Sequence, residues 1–393
     1  MSTKTLIKNG KLITPEGIRQ GTLLLSDGKI SALAADNAAA DETIDAEGCY
    51  VAPGFIDLHT HGAGGADFMD GTVEAYITAS RMHAKHGTTL LYPTTCTSSN
   101  ECLFDTFETF RKASSQNLQG AQMPGLHLEG PYFTAEMAGA QDGCYLRNPE
   151  LADYTDIISR ADGLIKRWSF APELPGAPQF AAELRRQGIL AAAGHTAADF
   201  DQCDAAFRNG CTHLTHFFSC MSTVTRRNAH RIAGTVEYGY WQDGMTIEII
   251  ADGIHVPQPL LWLVMKIKGA DRIALVTDSM RAAGMPEGTY VLGGLSSHRE
   301  VIVEEGVAKM PDRSCFAGSV ATADRLVRTM ITLGGCTLED AVKMITATPA
   351  RIMHIDNHKG ALAVGKDADV VIFDENINIQ RTIINGKTIY AKC

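Results

Sequence analysis

The 393-residue chain lacks the features that tie a protein to a membrane, an oxidising compartment or a polyanion. No run of Lys or Arg interrupts a formal net charge of −10, which argues against nucleic acid or an anionic membrane surface as the main partner. No segment reaches the roughly 20 apolar residues that a bilayer span needs. The most apolar stretch, PLLWLVMKIKG, is broken by lysines and reads as a buried helix. The opening residues, STKTLIKNGKLITPEG, have neither the unbroken apolar core nor the small-residue cleavage site of a secretory signal, so the cytoplasm is the expected compartment. The ten cysteines are scattered and no two form a C-x-x-C pair, which makes reduced thiols the expectation. There is no internal repeat, no low-complexity linker, and no G-x-G-x-x-G or P-loop pattern behind a strand.

What is present falls into two rhythms. Residues 4–51 alternate β-prone runs with turn dipeptides, TLIKNGKLI, TLLLSDGKISAL and ETIDAEGCYVAPG, whose Asn-Gly and Asp-Gly pairs predict tight hairpins in a small antiparallel sheet. The same rhythm returns in DADVVIFD, INIQRTIINGK and TIYAK near the C-terminus, so the two ends can complete one sandwich. Between them the pattern becomes strand-then-helix, with eight candidate strands: GFIDLHTH, TTLLYPTT, GLHLEGP, RWSFAPE, ILAAAGHT, THLTHFF, TIEIIADG and RIALVTDS. Eight closes a barrel. The predicted fold is α/β, a (β/α)8 TIM-type barrel over 53–355, with a small β-sandwich built from 1–52 and 356–393. A doubly wound open sheet is the competing architecture. After the eighth strand, TYVLGGLSSHREVIVEEGVAKM reads as an extra hairpin, followed by two closing helices.

In such a barrel the active site lies at the C-terminal strand ends. The first strand ends in His59 and His61, the third in Glu129, the fifth in His195, the sixth in His216, the seventh in Asp252 with His255 beyond it, and the eighth in Asp278. His59 and His61, two apart on a strand, face the same way and can share one ion. Joined by Glu129, His195 and His216, they suit a divalent transition metal. Asp278, emerging beside that metal, can take a proton from water and deliver it to a leaving amine; the structural alternative is a helix N-cap. His127 is expected deeper in the barrel, and His213 behind the site or in packing. His83, His86, His230, His298, His354 and His358 are expected to be structural.

These motifs, in this order, resemble the N-acetylglucosamine-6-phosphate deacetylases of the amidohydrolase superfamily. The strings that carry the resemblance are PGFIDLHTHGAGGADF, LHLEGPYF, AAGHT, THFFSCM, ADGIHV, VTDSMRAAGM, FAGS and GALAVGKDADVVIFD. The resemblance implies one or two divalent ions, zinc first, with iron, manganese, nickel or cobalt as alternatives. It makes Glu129, His195 and His216 the main ligands, His59 and His61 a second position, and Asp278 the general acid/base. Ala140, Ser219, Cys220, Arg227, His255, Phe316, Ala317 and Gly318 match substrate-contacting positions. Arg227 and His255 would face a sugar phosphate, the arginine coming from the neighbouring subunit of a homodimer.

Three departures from the family pattern bear on substrate. Ser219 and Cys220 stand where Asn-Ala is usual, and TRRNAH replaces HHRNPG, leaving Arg226 as an alternative anion ligand to Arg227. Gln141 replaces a histidine that polarises the acetyl carbonyl; an amide can donate a hydrogen bond there but cannot carry charge. The resemblance therefore implies hydrolysis of N-acetylglucosamine-6-phosphate to glucosamine-6-phosphate and acetate. A galacto-configured or unphosphorylated sugar, or an inactive binding protein, stands as the alternative. Cyclic-amide hydrolases are disfavoured because no strand end carries a lysine, and purine deaminases because AGHTAAD lacks their glutamate.

Overall fold

The computed structural model describes residues 4–34, 38–297 and 299–392; His298 lies outside them. Eight parallel strands follow one another in chain order around the central sheet: Phe55–Thr60, Thr88–Thr95, Leu126–Glu129, Ile165–Phe170, Leu190–Ala193, Cys211–Leu214, Thr246–Ile249 and Ile273–Leu275. The last is stitched back to the first. Asp278 N–H donates to the His59 carbonyl at 2.8 Å, His61 N–H donates to the Ser279 carbonyl at 2.8 Å, and Thr277 Oγ1 donates to Asp57 Oδ2 at 2.6 Å. This is the predicted barrel, and the open-sheet alternative falls.

Between strands and helices lies an apolar layer in which Trp168, Tyr132 and Phe180 pack fully buried, the first two stacked at 5.5 Å. Side chains of this size contribute about 1.5–3 kcal/mol each on burial. The segment DFDQCDAAFRNG forms the helix Phe200–Arg208, started by a capping box between Asp199 and Gln202. The stretch PLLWLVMKIKG is the helix Gln258–Lys268, but it buries only one face. Trp262, Leu263 and Ile267 are exposed, while Lys268 is buried and donates to the Gly239 and Gln242 carbonyls. Among the described residues no helix is long and apolar enough to cross a membrane.

The chain ends meet in one eight-stranded sheet, as expected. Tyr50–Pro53 is the seam, paired antiparallel with Val370–Phe373, beyond which lie Ile379–Ile384 and Lys387–Ala391. Ile7, Leu12, Leu23 and Val51 share a core with Val370, Ile372 and Ile383, so the sheet folds over itself. Two local expectations are corrected. Asn9-Gly10 is no hairpin turn: the strand Lys4–Thr14 runs through it with a bulge, Asn9 taking φ 58°. Nor is the sheet wholly antiparallel, because Glu42–Asp45 and Tyr50–Pro53 pair in parallel with that strand. Asp27-Gly28 and Asn385-Gly386 do turn hairpins. The insertion after the eighth strand has three strands rather than two, Gly288–Leu292, Arg299–Glu304 and Val307–Lys309, and it walls the mouth of the barrel.

Candidate metal centre and active site

Three of the expected residues leave their strands in the left-handed region: His195 (φ 48°), His216 (φ 30°) and Asp278 (φ 45°). Each such residue costs about 1–3 kcal/mol, and they persist where the surroundings over-determine them. The turn brings each side chain back toward one point. There Glu129 Oε1 lies 3.0 Å from His216 Nε2, 3.3 Å from His195 Nε2 and 3.4 Å from His59 Nε2, while Glu129 Oε2 lies 3.3 Å from His61 Nε2. Asp278 Oδ1 is 3.2 Å from His61 Nε2 and 3.3 Å from His59 Nε2. All six side chains are buried, and no helix starts at Asp278, so the N-cap alternative fails.

The chemistry of these donors fits a cation. His195 Nδ1–H donates to the Met137 carbonyl at 2.9 Å, and His59 Nδ1–H donates to the Glu248 carboxylate at 2.8 Å. In their neutral form both rings would turn a bare Nε2 lone pair toward the carboxylate of Glu129, acceptor against acceptor, an arrangement that is favourable only with positive charge between them, a proton or a metal ion. Two triads have ligand atoms close enough to hold an ion, His59 with His61 and Glu129, and Glu129 with His195 and His216. The electrostatics agree. Burial alone would lower the imidazole pKa values, yet the surrounding carboxylates and thiols raise His59 to about 9 and hold His61 and His195 well above the ordinary range. Burial raises the carboxyls of Glu129 and Asp278, but the neighbouring imidazoles outweigh it and bring both below their usual values.

Above this floor opens a cavity of about 540 Å³. Of the expected substrate positions, Ala140, Ser219, Cys220, His255, Phe316 and Gly318 line it, together with Gln141, the expected carbonyl-polarising residue. His255 Nδ1–H donates to Asp252 at 2.8 Å and its ring lies 4.5 Å from that of Phe316, leaving Nε2 for a ligand. Gly318 takes φ 62° and a Cβ there would stand 3.0 Å from the Asp278 carbonyl. Ala317 does not line the cavity: it is fully buried and its N–H donates to the Ala308 carbonyl. Arg227 is also outside, exposed on the strand Thr225–Arg227, which pairs with His230–Ile232, and among the described residues it makes no ion pair. His230, expected to be structural, opens the second of these short strands.

Several residues in and beneath the site were not expected from the sequence. Cys96 Sγ lies 3.4 Å from His61 Nδ1. Lys309 and Arg313 reach the cavity wall, but Glu304 and Glu305 offset their charge. Below the site Arg167 Nη1 meets Glu248 Oε2 at 2.5 Å, both side chains fully buried, with His213 Nε2 3.2 Å from the same oxygen. Removing one partner from such a pair costs about 3–5 kcal/mol. A charged residue inside an apolar strand, as in TIEII and RWSF, was the available signal. His127, as expected, lies deeper, held between Thr94 and Ser169.

A family model described as the amidohydrolase family matches residues 50–389. An N-acetylglucosamine-6-phosphate deacetylase of Lysinibacillus sphaericus is 34% identical over 392 residues, covering 97% of each chain. An N-acetylgalactosamine-6-phosphate deacetylase of Escherichia coli O157:H7 is 33% identical over 97% of this chain and 98% of that one. Among solved structures, a mutant N-acetyl-D-glucosamine-6-phosphate deacetylase from Mycobacterium smegmatis, in complex with N-acetyl-D-glucosamine-6-phosphate, matches with a TM-score of 0.89 at 29% identity, covering 99% of this chain and 100% of that one. Full-length matches at this level, to a barrel whose strand ends carry the expected residues, settle kinship: the chain belongs to the amidohydrolase family and, within it, to the N-acetylglucosamine-6-phosphate deacetylases.

Proposed function

We propose that the chain hydrolyses the N-acetyl group of an amino-sugar phosphate, converting N-acetylglucosamine-6-phosphate to glucosamine-6-phosphate and acetate. The observation that carries this is the convergence of Glu129, four imidazoles and Asp278 at the floor of a sugar-sized cavity. Glu129, His195 and His216 would hold the principal ion, and His59 and His61 a second one. A divalent ion there supplies Lewis acidity and lowers the pKa of water, and zinc suits this set of imidazole and carboxylate ligands, with iron, manganese, nickel or cobalt as alternatives.

The chain's own residues do the rest. Asp278 takes the proton of the attacking water and returns it to the departing nitrogen, which leaves poorly without it. Gln141 spends one amide hydrogen on Glu129 and has a second for the acetyl oxygen. Ala140, Ser219, Cys220, Phe316 and Gly318 bound the sugar, and Ala317 shapes that wall from behind. His255 holds the phosphate with Arg227, which a homodimer partner donates from its exposed hairpin. The barrel at 53–355 carries this chemistry in the cytoplasm, with 1–52 and 356–393 as its scaffold.

A galacto-configured substrate is the second reading, favoured by the 33% identity to an N-acetylgalactosamine-6-phosphate deacetylase and by Ser219-Cys220 at the sugar wall. Acetate release from N-acetylglucosamine and N-acetylgalactosamine, each with and without the 6-phosphate, separates the readings. Faster turnover of the phosphorylated gluco sugar supports the proposal. Release from none of the four leaves an inactive binding protein.

A further inference from the structure

Glu248 sits in the seventh barrel strand, fully buried, and the chemistry above leaves it without a role. Its Oε1 accepts from His59 Nδ1–H at 2.8 Å and from the His216 backbone N–H at 3.0 Å, so a single oxygen touches one residue of each metal-capable triad. Its Oε2 meets Arg167 Nη1 and His213 Nε2. Arg167 is anchored in turn by the Leu58 carbonyl and Thr215 Oγ1, at 3.2 and 3.0 Å. Arg167 keeps the carboxylate charged and aimed. The carboxylate can only accept, so a neutral, metal-binding His59 must carry its proton on Nδ1 and present a bare Nε2 to the cavity.

We propose that Glu248 is the positioning residue of the metal centre: it fixes the tautomer of His59 and the start of the His216 turn through one oxygen, with Arg167 as its counter-charge. This rests on the reading of the site as a metal centre.

The test is zinc affinity, measured by chelator competition on the full chain. In Glu248→Gln an amide N–H facing His59 would donate to Nδ1 and move the ring proton to Nε2, where it blocks coordination; the other amide rotamer would face Arg167 donor to donor. Because Arg167 is then stranded, the double variant Glu248→Leu/Arg167→Met serves as the form with neither an acceptor for His59 nor a buried unpaired cation. Both should bind zinc about 10- to 100-fold more weakly than wild type, the usual effect of removing such a partner. Adding His59→Asn to either should bring little further loss, because Glu248 acts largely through that ring. Zinc binding within about threefold of wild type in a folded variant overturns the proposal, and so does a full, additive loss from His59→Asn. A wild type that binds no zinc instead defeats the metal-centre reading itself.

Discussion

Gln141 Nε2 donates to Glu129 Oε2 at 2.7 Å while its Oε1 accepts from the Thr97 N–H at 2.8 Å. The amide is thus clamped at both ends, one of them against the side chain common to both triads, and in the proposed reaction its second hydrogen serves the acetyl oxygen. Gln141→Ala should keep its metal and lose about 100- to 1,000-fold in kcat, the range for deleting one oxyanion donor. Steady-state rates and metal content on the same preparation check this. A loss below about threefold would show that another group polarises the carbonyl.

Asp278 and Glu129 stand close to the same imidazoles but should fail differently. Asp278→Asn leaves both triads intact, so metal should be retained while turnover falls about 100- to 10,000-fold, the worth of a placed general acid/base. Glu129→Ala removes the residue common to both triads, and metal and activity should vanish together. Stoichiometric metal in the alanine variant would remove Glu129 from the ligand set.

The raised imidazole pKa values fix a pH dependence. Below the ordinary imidazole value of 6.5 the protonated rings give the metal-free protein their full stabilisation, which is lost as pH rises through the folded value, about 9 for His59. Zinc requires neutral rings, so its affinity should climb over that interval and its binding at pH 7 should release at least one proton. Calorimetry in two buffers of different ionisation enthalpy reads this number directly, and a value of zero contradicts it.

Arg227 lies outside the cavity of its own chain, and the proposed homodimer would bring it to a phosphate across the interface. Arg227→Ala should cost about 2–4 kcal/mol in kcat/KM for the phosphorylated sugar, typical of truncating one partner of a buried charge pair, and little for the unphosphorylated one. The loss should follow dimer concentration. Equal losses on both sugars would assign Arg227 to the solvated basic hairpin it shares with Arg226 and Arg231.

The sequence by itself determined the parallel βα architecture, because apolar runs alternating with helical segments bury both faces of a sheet under helices, and the count of eight pointed to a barrel. The bonds that tie the eighth strand to the first decided closure over an open sheet. The sequence also determined which polar side chains converge, since His59, His61, Glu129, His195, His216 and Asp278 all fall at or just beyond strand ends. The residues beneath them were decided only by tertiary structure. Arg167 and Glu248 are 81 positions apart, with no local pattern to join them, and they meet because the fourth and seventh strands cross one barrel interior. Asn9-Gly10 shows the same limit on a smaller scale, for the dipeptide supplies a left-handed residue but only the partner strand decides between bulge and turn.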